Sequence, residues 1–241
     1  MRGARGGRGG SRVDAIVVAG GRSARLGGYP KAQLVRGGHS LVAGAVEASF
    51  ALGAERVALV GPRDSLWSAL DAETRRAVTA GRCLLTQEDP PFTGPAQATA
   101  AGVAALGLME ESSGVVLLLA CDIPAADAAL TAALEWLLAS DLLQGDSPRW
   151  DGVVCTDTSG HEQWLLGCYR ASALARVCAQ LGSDQRSMRA LLGDLRLARL
   201  TIDESTAADI DTWEAAEQLG YTVSPPYLDK SQLETATAKL N

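Results

Sequence analysis

No stretch of this chain approaches the ~20 consecutive apolar residues of a membrane-spanning helix, so no candidate span and no membrane partner are expected. The opening residues are too polar for the apolar region of a signal peptide. Histidine is scarce, with two in 241 residues. His39 reads as a surface residue beside a helix cap, and His161 has no second histidine at ligand spacing, which makes a histidine-built metal site a weak expectation. The cysteines, Cys83, Cys121, Cys155, Cys168 and Cys178, are odd in number and form no CxxC pair. Most lie in apolar runs, which predicts reduced, mostly buried thiols and a cytoplasmic location. Basic residues are outnumbered, 22 against 28 acidic ones, for a net charge of -6. Four of the arginines, Arg2, Arg5, Arg8 and Arg12, crowd into a head that holds no acid, so the rest is more acidic still. Such a balance is a poor match to nucleic acid as the main partner. No internal repeat is present.

What the chain has in quantity is apolar residues, at 47%, enough for a sizeable core in one large domain or two small ones. Short apolar runs alternate with helical patterns. Strands are expected at Ile16–Val18, Arg56–Val60, Cys83–Thr86 and Val115–Ala120, with helices between them. The spacing predicts a helix capped by Ser40, a polar helix over about Ser65–Ala80, and an alanine-rich helix after Gly94-Pro95. Ala32–Val35 reads as a short extended piece. Asp157–Gly160 reads as the turn of a hairpin between two later strands. Ser187 and Thr212 are expected to cap helices, and Leu197–Ile202 to form a last strand. This alternation predicts an α/β fold in three layers, αβα, with a doubly wound, mostly parallel sheet. Residues 1–13 read as a disordered Arg/Gly leader, 14–220 as the folded domain, and 221–241 as a tail or docking segment.

Two features carry chemistry. The first is the stretch Asp14–Lys31. A buried strand ends at Val18, and Ala19-Gly20-Gly21 follows, where backbone approaches a ligand without a Cβ in the way. The loop can point N–H groups at phosphate, while Arg25 and Lys31 bring positive charge. It has neither the GxxxxGK[ST] order nor the GxGxxG spacing of the standard nucleotide fingerprints. The second is Asp122, which ends the most apolar run, Val115–Ala120. A carboxylate there lies on the sheet edge where doubly wound folds bind ligands. Asp122 is either a metal carboxylate or the cap of a helix opened by Pro124.

Ala19-Gly20-Gly21-Arg22-Ser23-Ala24-Arg25-Leu26-Gly27, with Lys31 four residues on, resembles the signature of the nucleotidyltransferases that include the molybdenum cofactor guanylyltransferases. The glycine pair points to the guanylyl enzymes, whereas Pro30 before the lysine is similar to the isoprenoid cytidylyltransferases. Cys121-Asp122-Ile123-Pro124, Gly94-Pro95, the Gly160–His161 segment, Arg186-Ser187-Met188-Arg189 and Asp209-Ile210-Asp211-Thr212-Trp213-Glu214 extend the resemblance over roughly residues 14–219. Ala98 stands where that family has glycine, Gly61-Pro62 where it often has Asn, and Trp213 where it has proline.

The resemblance implies a Rossmann-like nucleotidyltransferase fold and the transfer of GMP from GTP to molybdopterin, with release of pyrophosphate; the alternatives are a related transferase using CTP or another phosphate-bearing acceptor, and a nucleotide-binding regulatory homologue without turnover. It implies Mg²⁺ on Asp122, and pyrophosphate held by Arg25, Lys31 and the backbone of Val18, Ala19, Gly20 and Gly21. It also implies a nucleotide contact from Asp89, with Glu88 as its rival, and gives His161 a place on the acceptor side. Gln97 either reads a base edge or faces solvent. Molybdoenzymes or other cofactor-biosynthesis proteins are the partners implied.

Overall fold

The computed structural model describes residues 12–21, 23–142, 149–185 and 187–223. The leader expected over 1–13 lies outside them except for Arg12 and Val13, as do Arg22, Arg186 and the tail from residue 224. β1 (Val13–Val18) is followed by β2 (Val35–Arg36), β3 (His39–Ser40) and α1 (Leu41–Ala51). β4 (Arg56–Val60), α2 (Arg63–Ala69), α3 (Ala72–Thr79), β5 (Cys83–Thr86) and α4 (Pro95–Leu106) come next. Then come β6 (Val115–Ala120), α5 (Ala126–Leu142), β7 (Gly152–Thr156), β8 (Glu162–Arg170) and α6 (Ala171–Ala179). α7 (Met188–Leu192), β9 (Leu197–Thr201), α8 (Glu204–Ala207) and α9 (Trp213–Gln218) complete the order.

Seven strands form one sheet in the order β5-β4-β1-β6-β8-β7-β9. β5, β4, β1 and β6 run parallel, β8 is antiparallel to both its neighbours, and β9 is parallel to β7. The fold is therefore the expected three-layer α/β arrangement with a mostly parallel sheet. β1 and β6 are covered on both faces, which is why they read as unbroken apolar runs. Ala15, Val17, Leu117 and Leu119 face one core, which α1, α2 and α5 close with Val42, Leu66 and Leu130. Ile16, Val18, Val116 and Leu118 face the other, closed by α4, α6 and α7. Among the described residues no helix is long and apolar enough to cross a membrane.

The expected polar helix over Ser65–Ala80 is in fact two. Leu70 turns extended and is buried, and Asp71 caps α3 by accepting from the Thr74 N–H at 2.8 Å. Burying one leucine and capping a second helix N-terminus outweigh continuity of a single helix. The stretch expected to be extended after Lys31 begins instead as a 3₁₀ turn over Lys31–Gln33, with Pro30 at its N-cap and φ of -65°. Pro30 is pre-set for that position. Ser40, Ser187 and Thr212 cap their helices as expected, each accepting from the N–H three residues on.

A third apolar cluster lies away from the sheet. Leu26, Leu34, Leu41, Ile210, Ala216 and Tyr221 pack together, with Tyr29 and Leu219 against them. It clamps the glycine-rich loop to the C-terminal segment. Trp213, in the place of a proline, sets its ring 5.7 Å from that of Tyr29. Tyr221 and Thr222, assigned from sequence to the tail, belong to this packing. Thr222 exchanges backbone hydrogen bonds of 2.8 Å with Val35, and the Arg36 guanidinium lies 4.7 Å over the Tyr221 ring.

Helix α4 lies close on the sheet because Gly102 faces Ile16. A Cβ at Gly102 would come within 2.6 Å of Ile16 Cγ2. Gly102→Val should therefore lower the unfolding free energy by about 1–3 kcal/mol in urea denaturation, and Ile16→Val should recover part of that loss. An unchanged urea midpoint for the single variant would show that α4 does not need this close approach.

Candidate active site

The strand order reverses at β1: the chain runs outward through β4 and β5, then returns to β6 on the other side of β1. The crevice beyond the carboxyl ends of these two strands is where open α/β sheets bind ligands. A cleft of about 1540 Å³ opens there. Val18–Gly21 at the end of β1 and Ala120–Asp122 at the end of β6 form its floor. Gly61 closes one side of the glycine loop. A Cβ on it would stand 3.1 Å from the Ala19 carbonyl group, which accounts for glycine where a side chain was looked for.

Lys31 is the centre of the charged network. Its Nζ donates to Asp122 Oδ2 at 2.9 Å and to Asp211 Oδ1. Arg25 Nη1 donates to Asp211 Oδ2 at 2.8 Å. Burial alone would lower the Lys31 pKa, but the charge of Asp122 and the hydrogen bonds to Asp211 and Asp122 outweigh it and hold the ammonium above its usual range. The same hydrogen bond from Lys31 draws the Asp211 carboxyl below the usual carboxylate range. Asp209 moves the other way: burial pushes its carboxyl up, and the neighbouring charges of Asp211 and Asp122 add to this.

The C-terminal acids reach this point through one residue. Ile210 is fully buried in the third apolar cluster, and its N–H donates to the Asp122 carbonyl at 2.9 Å. With Ile210 turned inward, its two neighbours face the cleft. Oxygen atoms of Asp122, Asp209 and Asp211 lie within 4.8 Å of one another. This donor set suits a hard divalent cation. The ammonium of Lys31 between two of the three carboxylates shows that the position accepts positive charge. Asp122 does not act as a helix cap, because α5 starts only at Ala126 and the carboxylate is engaged by Lys31.

Of the residues expected from sequence, Val18, Ala19, Gly20, Gly21, Arg25, Lys31 and Asp122 all line the cleft. Asp89 does not: it is exposed, and its neighbour Glu88 takes the inward position. Glu88 is only 8% exposed. Its Oε1 accepts from the Phe92 N–H at 2.9 Å, while Oε2 is buried with no hydrogen-bond partner among the described residues. That hydrogen bond anchors Phe92 at a φ of +61°, with its ring 44% exposed at the cleft.

His161 departs from the expected acceptor side. It sits on the β7–β8 turn with its side chain 81% exposed, outside the cleft lining. Its Nδ1 lies 2.7 Å from Ser159 Oγ, and Ser159 Oγ donates to Asp157 Oδ1 at 2.6 Å. The Ser159 and His161 hydrogen bonds hold the Asp157 carboxyl below its usual range. The group braces a turn, with the serine proton directed to the aspartate and not to the histidine. Gln97 neither reads a base nor faces solvent freely, since its Nε2 donates to the carbonyls of Gly182 and Gln185.

The far wall comes from β8 and α7. The β7–β8 register jumps from Val154↔Gly167 to Cys155↔Gln163. Trp164 and Leu165 stand opposite that break and line the cleft, as does Arg189. Bulges commonly re-aim side chains beside active sites. The thiols do not contribute nucleophiles. Burial pushes Cys83, Cys155 and Cys178 up to about 12, and raises Cys121 and Cys168 further.

Asp209, Asp211, Phe92 and Trp164 carry positions in the cleft that sequence reasoning did not assign. For the first two a signal existed: acids at i and i+2 around one apolar residue place both on the side opposite a buried anchor.

The sequence matches no curated protein. Among solved structures, a manganese complex of Rv0371c from Mycobacterium tuberculosis is similar, at 16% identity and a TM-score of 0.57, covering 87% of this chain and 98% of that one. Molybdopterin-guanine dinucleotide biosynthesis protein A from Archaeoglobus fulgidus is 16% identical with a TM-score of 0.57, covering 86% and 96%. The bifunctional IspDF from Campylobacter jejuni is 12% identical with a TM-score of 0.59, covering 89% of this chain and 56% of its own. At these identities the likeness is one of fold. The profile of the MobA-like NTP transferase domain matches residues 15–200. A parallel sheet with a glycine loop, lysine and carboxylates at its switch point, together with that match, means that the chain belongs to the MobA-like NTP transferase family and is a nucleotidyltransferase.

Proposed function

We propose that the protein transfers GMP from GTP to the phosphate of molybdopterin and releases pyrophosphate. The observation that carries this reading is the convergence of the Gly20-Gly21 backbone, Lys31 and three carboxylates on one cleft. Phosphoryl transfer of this kind needs no protein nucleophile. An oxygen of the acceptor phosphate forms a bond to the α-phosphorus, the bridging α–β P–O bond breaks, and its electron pair leaves with pyrophosphate. The chain's work is positioning and charge compensation. The N–H groups of Ala19–Gly21 face the phosphates, and Arg25 and Lys31 offset the charge that grows on the leaving pyrophosphate. Mg²⁺ fits Asp122 with Asp209 or Asp211, and when bound it supplies further neutralisation of phosphate oxygens.

Guanine is favoured by Glu88. Its carboxylate, whose Oε2 has no partner among the described residues, suits the adjacent N1–H and 2-amino donors of guanine, a pair of donors side by side that cytosine does not present. Phe92 offers a ring face beside it. On the opposite wall Arg189 and Trp164 are placed to meet an anionic acceptor. The direct test is binding of GTP, CTP, ATP and UTP with Mg²⁺, followed by pyrophosphate release on adding molybdopterin. Release with molybdopterin and GTP supports the reading. A ranking of CTP above GTP moves the protein to cytidylyl transfer, as Pro30-Lys31 and the likeness to IspDF would then have it.

Glu88→Gln should weaken GTP binding about tenfold, the loss of one charge-assisted hydrogen bond, and leave CTP affinity unchanged in competition calorimetry. Equal effects on both nucleotides would remove Glu88 from base selection.

Asp122→Asn keeps size and hydrogen-bonding capacity and removes the charge a hard cation requires. Turnover should fall on the order of 10²–10³-fold, while the melting temperature moves by no more than about 2 °C. Near wild-type pyrophosphate release would defeat the metal role.

A further inference from the structure

We infer that Lys31 is the resident cation of the metal site, and that a divalent ion gains the site only when a nucleoside triphosphate draws the lysine away. The inference rests on the reading of the cleft above, and concerns the order in which its ligands assemble.

Two of the three carboxylates that would hold a divalent ion are already engaged. Asp211 gives Oδ1 to Lys31 and Oδ2 to Arg25. Asp122 gives Oδ2 to Lys31 at 2.9 Å. A Mg²⁺ ion binds oxygen at about 2.0–2.1 Å. An ion on these oxygens would therefore sit within a few ångströms of the ammonium. Lys31 is only 19% exposed, so water screens that repulsion poorly. Ion and ammonium compete for the charge of Asp122 and Asp211.

The lysine has little freedom to step aside while the cleft is empty. Pro30 sets the 3₁₀ turn that carries it, the Lys31 N–H lies 3.4 Å from Ser23 Oγ, and the next turn is anchored by Leu34 in the third cluster. Any outward swing leaves Asp122 without a counter-charge and Asp211 with Arg25 alone, beside an Asp209 whose carboxyl is already crowded. A triphosphate changes this balance. It brings phosphate oxygens to the Ala19–Gly21 loop that lines the same cleft, and these give Lys31 and Arg25 new anionic partners. The vacated carboxylates of Asp122 and Asp211 would then be free to hold the ion. Metal and nucleotide binding are thus coupled through one side chain, and by linkage each strengthens the other.

The test is titration of the full chain with Mn²⁺ alone, followed by the electron paramagnetic resonance of the free ion, with and without a non-hydrolysable triphosphate analogue. Lys31→Met removes the charge at similar length, and Lys31→Gln serves as a second neutral variant, with folding checked by thermal melting. The inference expects both variants to bind Mn²⁺ alone at least tenfold more tightly than wild type, and Lys31→Arg to stay weak. It also expects the analogue to raise Mn²⁺ affinity more in wild type than in Lys31→Met. Equal or weaker Mn²⁺ binding by the neutral variants overturns it. Adding Asp122→Asn to Lys31→Met should abolish the gain. If wild type and Lys31→Met bind equally and both lose the ion on Asp122→Asn, the metal site stands and only the inference falls. If binding survives Asp122→Asn, the ion lies elsewhere, and the reading of the site falls as well.

Discussion

One ammonium group holds together segments of chain that are remote in sequence. Lys31 meets Asp122 across 91 residues and Asp211 across 180. The contact exists because the third apolar cluster packs Leu26 and Leu34 from the glycine-rich region against Ile210 from the C-terminal segment. Ile210 does double duty. Its side chain is buried, and its N–H ties to the carbonyl of Asp122 at the end of β6. Three separate parts of the chain thereby share a single point. Like charges can gather there only because Lys31 and Arg25 stand among them.

The departures from the family pattern take on physical sense in this setting. Pro30, the feature similar to the cytidylyltransferases, starts the turn that presents Lys31. Trp213 replaces a proline and exchanges a rigid helix start for an aromatic contact with Tyr29. Both reinforce the junction between the glycine loop and the C-terminal segment. Gly61 leaves no room for a side chain, because the backbone of Ala19 and Gly20 passes within contact distance. On that side of the cleft the side chains come instead from the loop after β5, where Glu88 and Phe92 stand.

The two walls of the cleft are built by different means. The glycine-loop side rests on strand ends and tight backbone turns, so its N–H groups are fixed by the sheet itself. The far side hangs from an irregularity between β7 and β8 and from the short α7. A sheet edge gives one geometry to a whole family, while a bulge and a short helix vary without disturbing the core.

By itself the sequence determined the sheet, the cap residues and the glycine loop at the mouth of the cleft. Those depend on local pattern: apolar runs for strands covered on both faces, glycines where backbone must approach a ligand, and Ser or Thr where a helix begins. It also marked Asp122, because a carboxylate after the most apolar strand has one place to go in a doubly wound fold. Only the tertiary structure decided which of Glu88 and Asp89 faces inward, since adjacent residues in a loop carry no periodicity to separate them. It placed His161 on an outer turn, where its partners are Ser159 and Asp157. It alone brought Asp209 and Asp211 to Lys31, because that meeting depends on the burial of Ile210 against residues some 180 positions away. Packing over such separations has no local signature in the chain.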